Sequence, residues 1–481
     1  MTAAARPSAV VIGGGLAGTT AALALADSGV DVTLLEGRPR LGGLAFSFER
    51  QSAAGPLTVD NGQHVYLRCC TAYQWFLDRV GGLDLAPLQR RLDVPVLDAG
   101  NRRLGRLRRA GLPVPLHLAA SLARYPHLSL AERASVGRAA LALKGLDLAD
   151  PALDREDFGS WLARHGQSPR TVEALWDLVG VATLNAVAGE SSLALAAMVF
   201  KTGLLSEPGA ADIGFAQVPL GELHDTLARQ ELDKAGVRTR LRTRARTLTR
   251  TDTGWRVTVT AGPGQGAELD ADAVVLAVPQ REAHGLLPDG AIDGKDRLLR
   301  IGTAPILNVH VVYDRTLLRR PFFAALGTRV QWVFDRTETS GLEGGGQYLA
   351  LSQSAAQDDI DRPVEELRTR YLPELERLLP GARDAVVRDF FVTRERTATF
   401  APAPGVASLR PPSRTRAPGL ALAGAWTDTG WPATMEGAVL SGLSAADGVL
   451  GGLGRRLTAR TRTRPLPTAA RTSPATATEA A

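Results

Sequence analysis

Residues 9–12 (Ala-Val-Val-Ile) form a short uninterrupted apolar run, followed by glycines and then by an Ala- and Leu-rich stretch over 16–26 with helical character. Asp27, Ser28 and Gly29 break that stretch, and a second apolar run follows over 32–36. Two buried-type strands bracketing a helix through short connections predict a parallel βαβ unit. Further on, the pattern predicts a helix over 70–80 and strand material over 92–107 around the turn Asp98-Ala99-Gly100-Asn101. Residues 116–146 and 158–204 read as mainly helical, broken near Pro126, Pro151 and Pro169. Residues 220–234 predict a helix, and 237–241, 255–259 and 273–277 predict strands. The segments 306–313, 330–334 and 348–352 alternate like antiparallel strands. One more buried strand is expected over 420–425 and one more helix over 435–449. After Gly454 the chain is Thr, Ala, Arg and Pro without a period, so 455–481 is expected to be a disordered basic tail.

Composition narrows this picture. At 481 residues the chain exceeds one ordinary core, and domains of roughly 100–200 residues imply two or three. The formal net charge of +6 suggests nucleic acid until it is located: residues 455–481 carry six arginines against one acid, so the rest is nearly neutral and no nucleic-acid partner is expected. The two cysteines, Cys69 and Cys70, are adjacent, which would strain a disulfide between them and fits a reduced compartment. There is no signal-peptide pattern and no window of about 18 uncharged apolar residues, so a cytoplasmic location is expected, with peripheral membrane contact open. No metal site is expected.

Gly13, Gly15 and Gly18 form G-x-G-x-x-G between the first strand and its helix, which is the setting the motif requires. The first glycine permits a tight turn, the second lets backbone approach a pyrophosphate, and the third lets helix and strand pack closely. Glu36, ending the second strand, is placed to accept hydrogen bonds from a ribose. A second glycine pair follows in Arg38-Pro39-Arg40-Leu41-Gly42-Gly43. This pattern resembles flavoproteins that cradle FAD and separates FAD from NAD as the expected cofactor.

With these motifs the chain resembles the amine oxidase and phytoene desaturase superfamily. A narrower resemblance, to the hydroxysqualene dehydroxylase (squalene-associated FAD-dependent desaturase) family, rests on four segments. They are Asp60-Asn61-Gly62-Gln63-His64-Val65, Gln331-Trp332-Val333-Phe334, Arg396-Thr397-Ala398-Thr399-Phe400-Ala401-Pro402 and the decapeptide Thr429-Gly430-Trp431-Pro432-Ala433-Thr434-Met435-Glu436-Gly437-Ala438. The resemblance implies an α/β fold with a discontinuous FAD-binding Rossmann-type domain (1–90, 210–300 and 405–454). It also implies a substrate-binding domain of mixed sheet and helices (91–209 and 301–404). The cofactor contacts it implies are Gly13, Gly15, Leu16, Ala17, Gly18, Glu36, Arg38, Gly42, Gly43, Gly62, Ala245, Gly424, Thr434, Met435, Glu436 and Gly437. N–H groups opening the 435 helix can stabilise negative charge on reduced flavin. Two positions depart from the family: Leu44 stands where an arginine is usual and Ala425 where an aspartate is usual.

The implied reaction is reduction of hydroxysqualene to squalene and water by reduced FAD, within hopanoid or related triterpene synthesis. His64 is the candidate acid, because histidine ordinarily titrates near neutrality, and local backbone bonding is an equal alternative for it. Glu436 is a second candidate that could instead cap a helix. Asp60 could orient His64 or hold its own turn. A carotenoid or phytoene desaturase, an amine oxidase and a non-catalytic lipid carrier of the same pathway stand as alternatives. The expected partners are an apolar triterpene, a membrane surface and other enzymes of squalene synthesis. For the membrane surface, Leu and Ala over 112–146 follow a basic patch of Arg102, Arg103, Arg106, Arg108 and Arg109; a solvated arginine face over an ordinary helical core is the alternative.

Overall fold

A computed structural model describes residues 6–260 and 266–458. The βαβ unit forms as the apolar pattern predicts: strand Ser8–Ile12, helix Leu16–Asp27, strand Asp31–Leu35. These strands lie in a five-stranded sheet ordered Leu420–Leu422, Ala273–Leu276, Ser8–Ile12, Asp31–Leu35, Arg238–Arg240, with every neighbouring pair parallel. Three strands entering from far along the chain thus complete the Rossmann layer. The strand expected to reach 425 stops at Leu422, two residues before Gly424, whose φ of +139° leaves extended geometry.

Helix Met435–Gly452 packs across helix Leu16–Asp27, and the crossing depends on Gly442. A Cβ there would lie 2.3 Å from the Ala17 carbonyl oxygen. The 220–234 helix opens with a widened turn, Glu222–Leu227, before Ala228–Lys234. An antiparallel three-stranded sheet (Arg244–Arg250, Trp255–Thr260, Gly266–Ala271) stands beside the Rossmann layer.

The second layer is a seven-stranded sheet in which Thr303–Tyr313 lies between Val387–Phe400 and Gln347–Ser354. Trp332–Asp335, Phe322–Leu326, Asp93–Asp98 and Leu104–Arg108 continue it. Helix Val364–Leu378 covers one face through Leu367, Tyr371 and Leu375, against Leu307, Val309 and Val311. On the other face of Thr303–Tyr313 lies the hairpin Ser47–Ser52 and Gly55–Asp60, through Leu57, Val59, Tyr348 and Phe391. Asn185, a non-glycine residue in left-handed geometry (φ 59°), pins the helices of 116–204 to this sheet. Its amide donates to Ala304 O and Thr399 Oγ1 and accepts from Ala355 N–H.

Of the expected basic tail, residues 455–458 are described, and Arg455 is anchored by donating to Ser28 O at 2.9 Å. Residues 459–481 lie outside the described residues. Cys69 and Cys70 are both buried free thiols. Among the described residues no helix is long and apolar enough to cross a membrane.

Candidate functional site

The glycine turn is built as a cradle. At Gly13 φ is +111° and a Cβ would stand 2.3 Å from Ala277 O; at Gly18 a Cβ would stand 1.8 Å from Gly13 O. Strand and helix therefore approach to a distance only glycine allows. Gly43 (φ +58°) closes on Gly15, where its Cβ would lie 2.9 Å from the Gly15 Cα, and Gly42 N–H donates to Gly14 O at 3.0 Å. Arg40 braces this pair from behind, donating to Leu41 O and Gly43 O with its guanidinium 3.3 Å over the Phe46 ring; burial lowers its pKa to about 10.

Gly15 places no side-chain cap on helix Leu16–Asp27, and no acid occupies its first turn, so the N–H groups around Leu16 and Ala17 are open to an anion. The Glu36 carboxylate accepts from Gly14 N–H and Arg38 N–H, both at 2.7 Å, which fixes it at the edge of the same turn. Thr243 N–H donates to Glu36 O and Arg242 N–H to Arg38 O, so the segment leading to Ala245 runs alongside, with Arg38 exposed. An uncapped helix start, a fixed carboxylate and a Cβ-free cleft fit the pyrophosphate and ribose of FAD.

The far end of the cradle is the turn before helix Met435–Gly452. Gly424 N–H donates to Ser441 Oγ at 2.7 Å, and Thr434 Oγ1 caps the helix by accepting from Gly437 N–H at 3.1 Å. Glu436 points elsewhere. Its carboxylate is buried and accepts from Ala72 N–H (3.0 Å) and Tyr73 N–H (2.7 Å), so it caps helix Thr71–Arg79 from the opposite end of the sequence. Burial pushes this carboxyl up to about 7 against those two hydrogen bonds. Ala425 has no charge to order the turn; the buried Arg410 guanidinium gathers Ala425 O, Thr427 O and Trp431 O instead. Leu44, at the other departure, is 45% exposed.

Asp60 ends its hairpin as a buried carboxylate that accepts from Ser47 Oγ (2.6 Å), Leu220 N–H (2.9 Å) and Arg336 Nη2 (2.8 Å). None of its hydrogen bonds goes to His64, so of the two expected roles the geometry favours holding the turn. Gly62 and His64 follow. His64 lines a cavity with Val65, Phe215, Ala216, Leu220 and Phe334, an apolar wall interrupted by Gln63 and the Asp60–Arg336 pair. The expectation that His64 titrates near neutrality is corrected: burial lowers its pKa to about 4, so the ring is neutral at pH 7.

The Asn61 carbonyl holds this loop to the seven-stranded sheet. It accepts from Thr393 Oγ1 (2.9 Å) and Asn308 Nδ2 (3.0 Å), while the Asn61 amide donates to Leu44 O and Glu395 Oε1. The hydrogen positions follow. Thr393 Oγ1 spends its proton on Asn61 O, so His310 donates to it through Nε2–H and receives the Tyr348 hydroxyl at Nδ1. Burial agrees with a neutral His310, lowering its pKa to about 3. His224 is neutral as well, its pKa lowered to about 4 by burial, with Nδ1–H on Ala45 O and Nε2 accepting from Tyr73 OH.

Sequence reasoning passed over Arg336, Asn308, Thr393, Glu395, Arg40 and Arg410. For Asn308 a signal existed: it and His310 are polar at period two within an otherwise apolar strand.

Comparison with known proteins agrees with this architecture. The family model for flavin containing amine oxidoreductase matches residues 16–450. Hydroxysqualene dehydroxylase of Rhodopseudomonas palustris is 30% identical over 92% of the chain and 97% of its own length. The protein of that name from Zymomonas mobilis is 26% identical over 91% of the chain and 97% of its own length. A redesigned putrescine oxidase superposes with a TM-score of 0.70 at 19% identity, covering 93% of this chain and 99% of its own, a likeness of fold.

Proposed function

The chain belongs to the flavin-containing amine oxidoreductase family and is an FAD-dependent oxidoreductase; from that premise we propose that it reduces hydroxysqualene to squalene and water. The observation that carries this reading is the apolar lining around His64 beside the flavin cradle. Val65, Phe215, Ala216, Leu220 and Phe334 present apolar atoms to the cavity and His64 offers one ring able to engage a single hydroxyl; at about 10 Å³ the cavity admits a triterpene chain only when these side chains move apart. The relatives named hydroxysqualene dehydroxylase, aligned over nine-tenths of the chain, support the same substrate.

FAD, when bound and reduced, supplies the hydride. In the proposed reaction the allylic C–O bond breaks, the hydride pair goes to carbon, and one proton goes to the departing oxygen to give water. His64 hydrogen-bonds that hydroxyl, and its protonated form, a minor fraction at pH 7, passes the proton to the departing oxygen. The apolar wall excludes bulk water from the cation that forms as the C–O bond opens. Arg336 and Asp60 neutralise each other at 2.8 Å, so neither leaves an unpaired charge against the hydrocarbon.

Hydroxysqualene incubated with the protein and chemically reduced FAD should yield squalene by mass spectrometry, and His64→Ala should lower the rate at least tenfold with FAD still bound. Recovery of unchanged hydroxysqualene from flavin-loaded protein would reject the reading. Full turnover by His64→Ala would remove His64 as the acid.

A further inference from the structure

Asn308 sits in the middle of strand Thr303–Tyr313 with its side chain fully buried. Its Nδ2 donates to Asn61 O at 3.0 Å, which fixes the amide's orientation, because reversing it would set oxygen against oxygen. Oδ1 is then a buried acceptor with no hydrogen-bond partner among the described residues. A Cβ built on Gly62 would stand 3.4 Å from Asn308 Nδ2, 3.8 Å from Asn308 Oδ1 and 3.4 Å from His64 Nε2. The amide and the ring edge therefore converge over a glycine whose missing side chain leaves the space between them open. His64 likewise has no hydrogen bond to either ring nitrogen among the described residues.

We propose that Asn308 is a positioning residue for His64: its Oδ1 receives the His64 Nε2–H, fixing the ring's tautomer and leaving Nδ1 to serve the substrate. A rotation of the ring across the Gly62 gap gives the buried Asn308 Oδ1 the donor it lacks. An acceptor on Nε2–H favours the protonated ring, opposing the burial that pulls His64 toward about 4. The other charged or titratable groups around the ring leave this effect uncancelled. Asp60 and Arg336 pair with each other, His224 is neutral, and Glu395 is engaged by the Asn61 amide. The assignment of Nδ1 to substrate rests on the proposed function, whereas the Asn308–His64 contact does not.

The test is a proton-affinity and tautomer measurement that needs no substrate. The protein has seven histidines, so histidine-selective 13C and 15N labelling of FAD-loaded protein, with His64→Ala for assignment, isolates the His64 signal. Asn308→Leu should lower the proton affinity of His64 at least threefold and mix its tautomers. Asn308→Ser, which keeps a donor for Asn61 O but loses Oδ1, should do the same and stands in if the leucine variant does not fold. Thr393→Val removes the other hydrogen bond to Asn61 O and should leave the His64 titration unchanged. Wild-type titration in both Asn308 variants would overturn the proposal, and so would an equal shift in Thr393→Val, which would mark a loop effect. A shift as expected together with no squalene formation would reject the substrate and retain the contact.

Discussion

Glu436 illustrates how a residue beside a cofactor helix can serve another element. Its carboxyl is held at about 7 rather than near 4.5, so the protonated form is favoured by folding. Its contribution to stability is therefore complete below about pH 4.5 and is lost as pH rises through 7, a difference of roughly 3 kcal/mol at full ionisation. Glu436→Gln mimics the protonated state, so its melting temperature should fall less than the wild type's between pH 5 and pH 8, measured by thermal denaturation across that range. Parallel curves for the two proteins would show that Glu436 does not carry this titration. Ala425 poses a different question. Restoring the charge usual in the family, Ala425→Asp, should tighten FAD about tenfold, within the roughly 1–3 kcal/mol of a hydrogen bond to a charged group. Flavin fluorescence titration measures it, and an unchanged dissociation constant means that Arg410 alone orders the turn.

At the scale of elements, the crossing of Leu16–Asp27 by Met435–Gly452 holds both ends of the FAD cradle together. Gly442→Ala would press a methyl 2.3 Å from Ala17 O and 2.9 Å from Thr20 Cβ, backbone and packed atoms that cannot swing away. Overpacking of this kind costs about 1–3 kcal/mol. Calorimetry should record a lower melting temperature, and gel filtration a smaller fraction of retained flavin; a variant as stable and as flavin-loaded as wild type contradicts the crossing as described. These two helices were legible in the sequence because their apolar positions are local and periodic. The hairpin of Ser47–Ser52 and Gly55–Asp60 and the strand Val387–Phe400 were not, since Glu49, Arg50, Arg388, Asp389, Arg394 and Glu395 interrupt the alternation that marks a half-buried strand. Helix Val364–Leu378 carries a proline, Pro373, and its apolar stripe of Leu367, Tyr371 and Leu375 is narrow. The same distinction holds in the candidate site. Gly13, Gly15, Gly18 and Glu36 act within one short stretch and could be read from spacing. Arg336 meets Asp60, and Asn308 and Thr393 meet Asn61, only across several hundred residues, a closeness that the fold alone creates.

At the scale of the whole molecule, exposed leucines gather where the positive charge gathers. Leu104, Leu112, Leu116 and Leu130 are 57%, 47%, 55% and 79% exposed, and residues 99–131 hold six arginines and no acid. Three of these arginines are committed elsewhere, Arg106 and Arg108 to Asp93 and Arg109 to Asp212, which leaves Arg102, Arg103 and Arg124 outside any ion pair in the described structure. A substrate as apolar as hydroxysqualene partitions into a bilayer, so an enzyme acting on it gains from resting there. We propose that the segment 111–116, Gly-Leu-Pro-Val-Pro-Leu, makes that contact, beside charges that anionic headgroups attract by about 1 kcal/mol each. The protein should therefore float with vesicles containing phosphatidylglycerol, less with neutral vesicles, and less again as salt is raised. Leu112→Asp combined with Leu116→Asp should abolish flotation while leaving flavin content and melting temperature unchanged, because both side chains are exposed and lie far along the chain from the glycine cradle. Equal flotation with neutral and anionic vesicles would leave the arginines without a role in docking, and undiminished flotation of the double variant would place the membrane contact elsewhere on the surface.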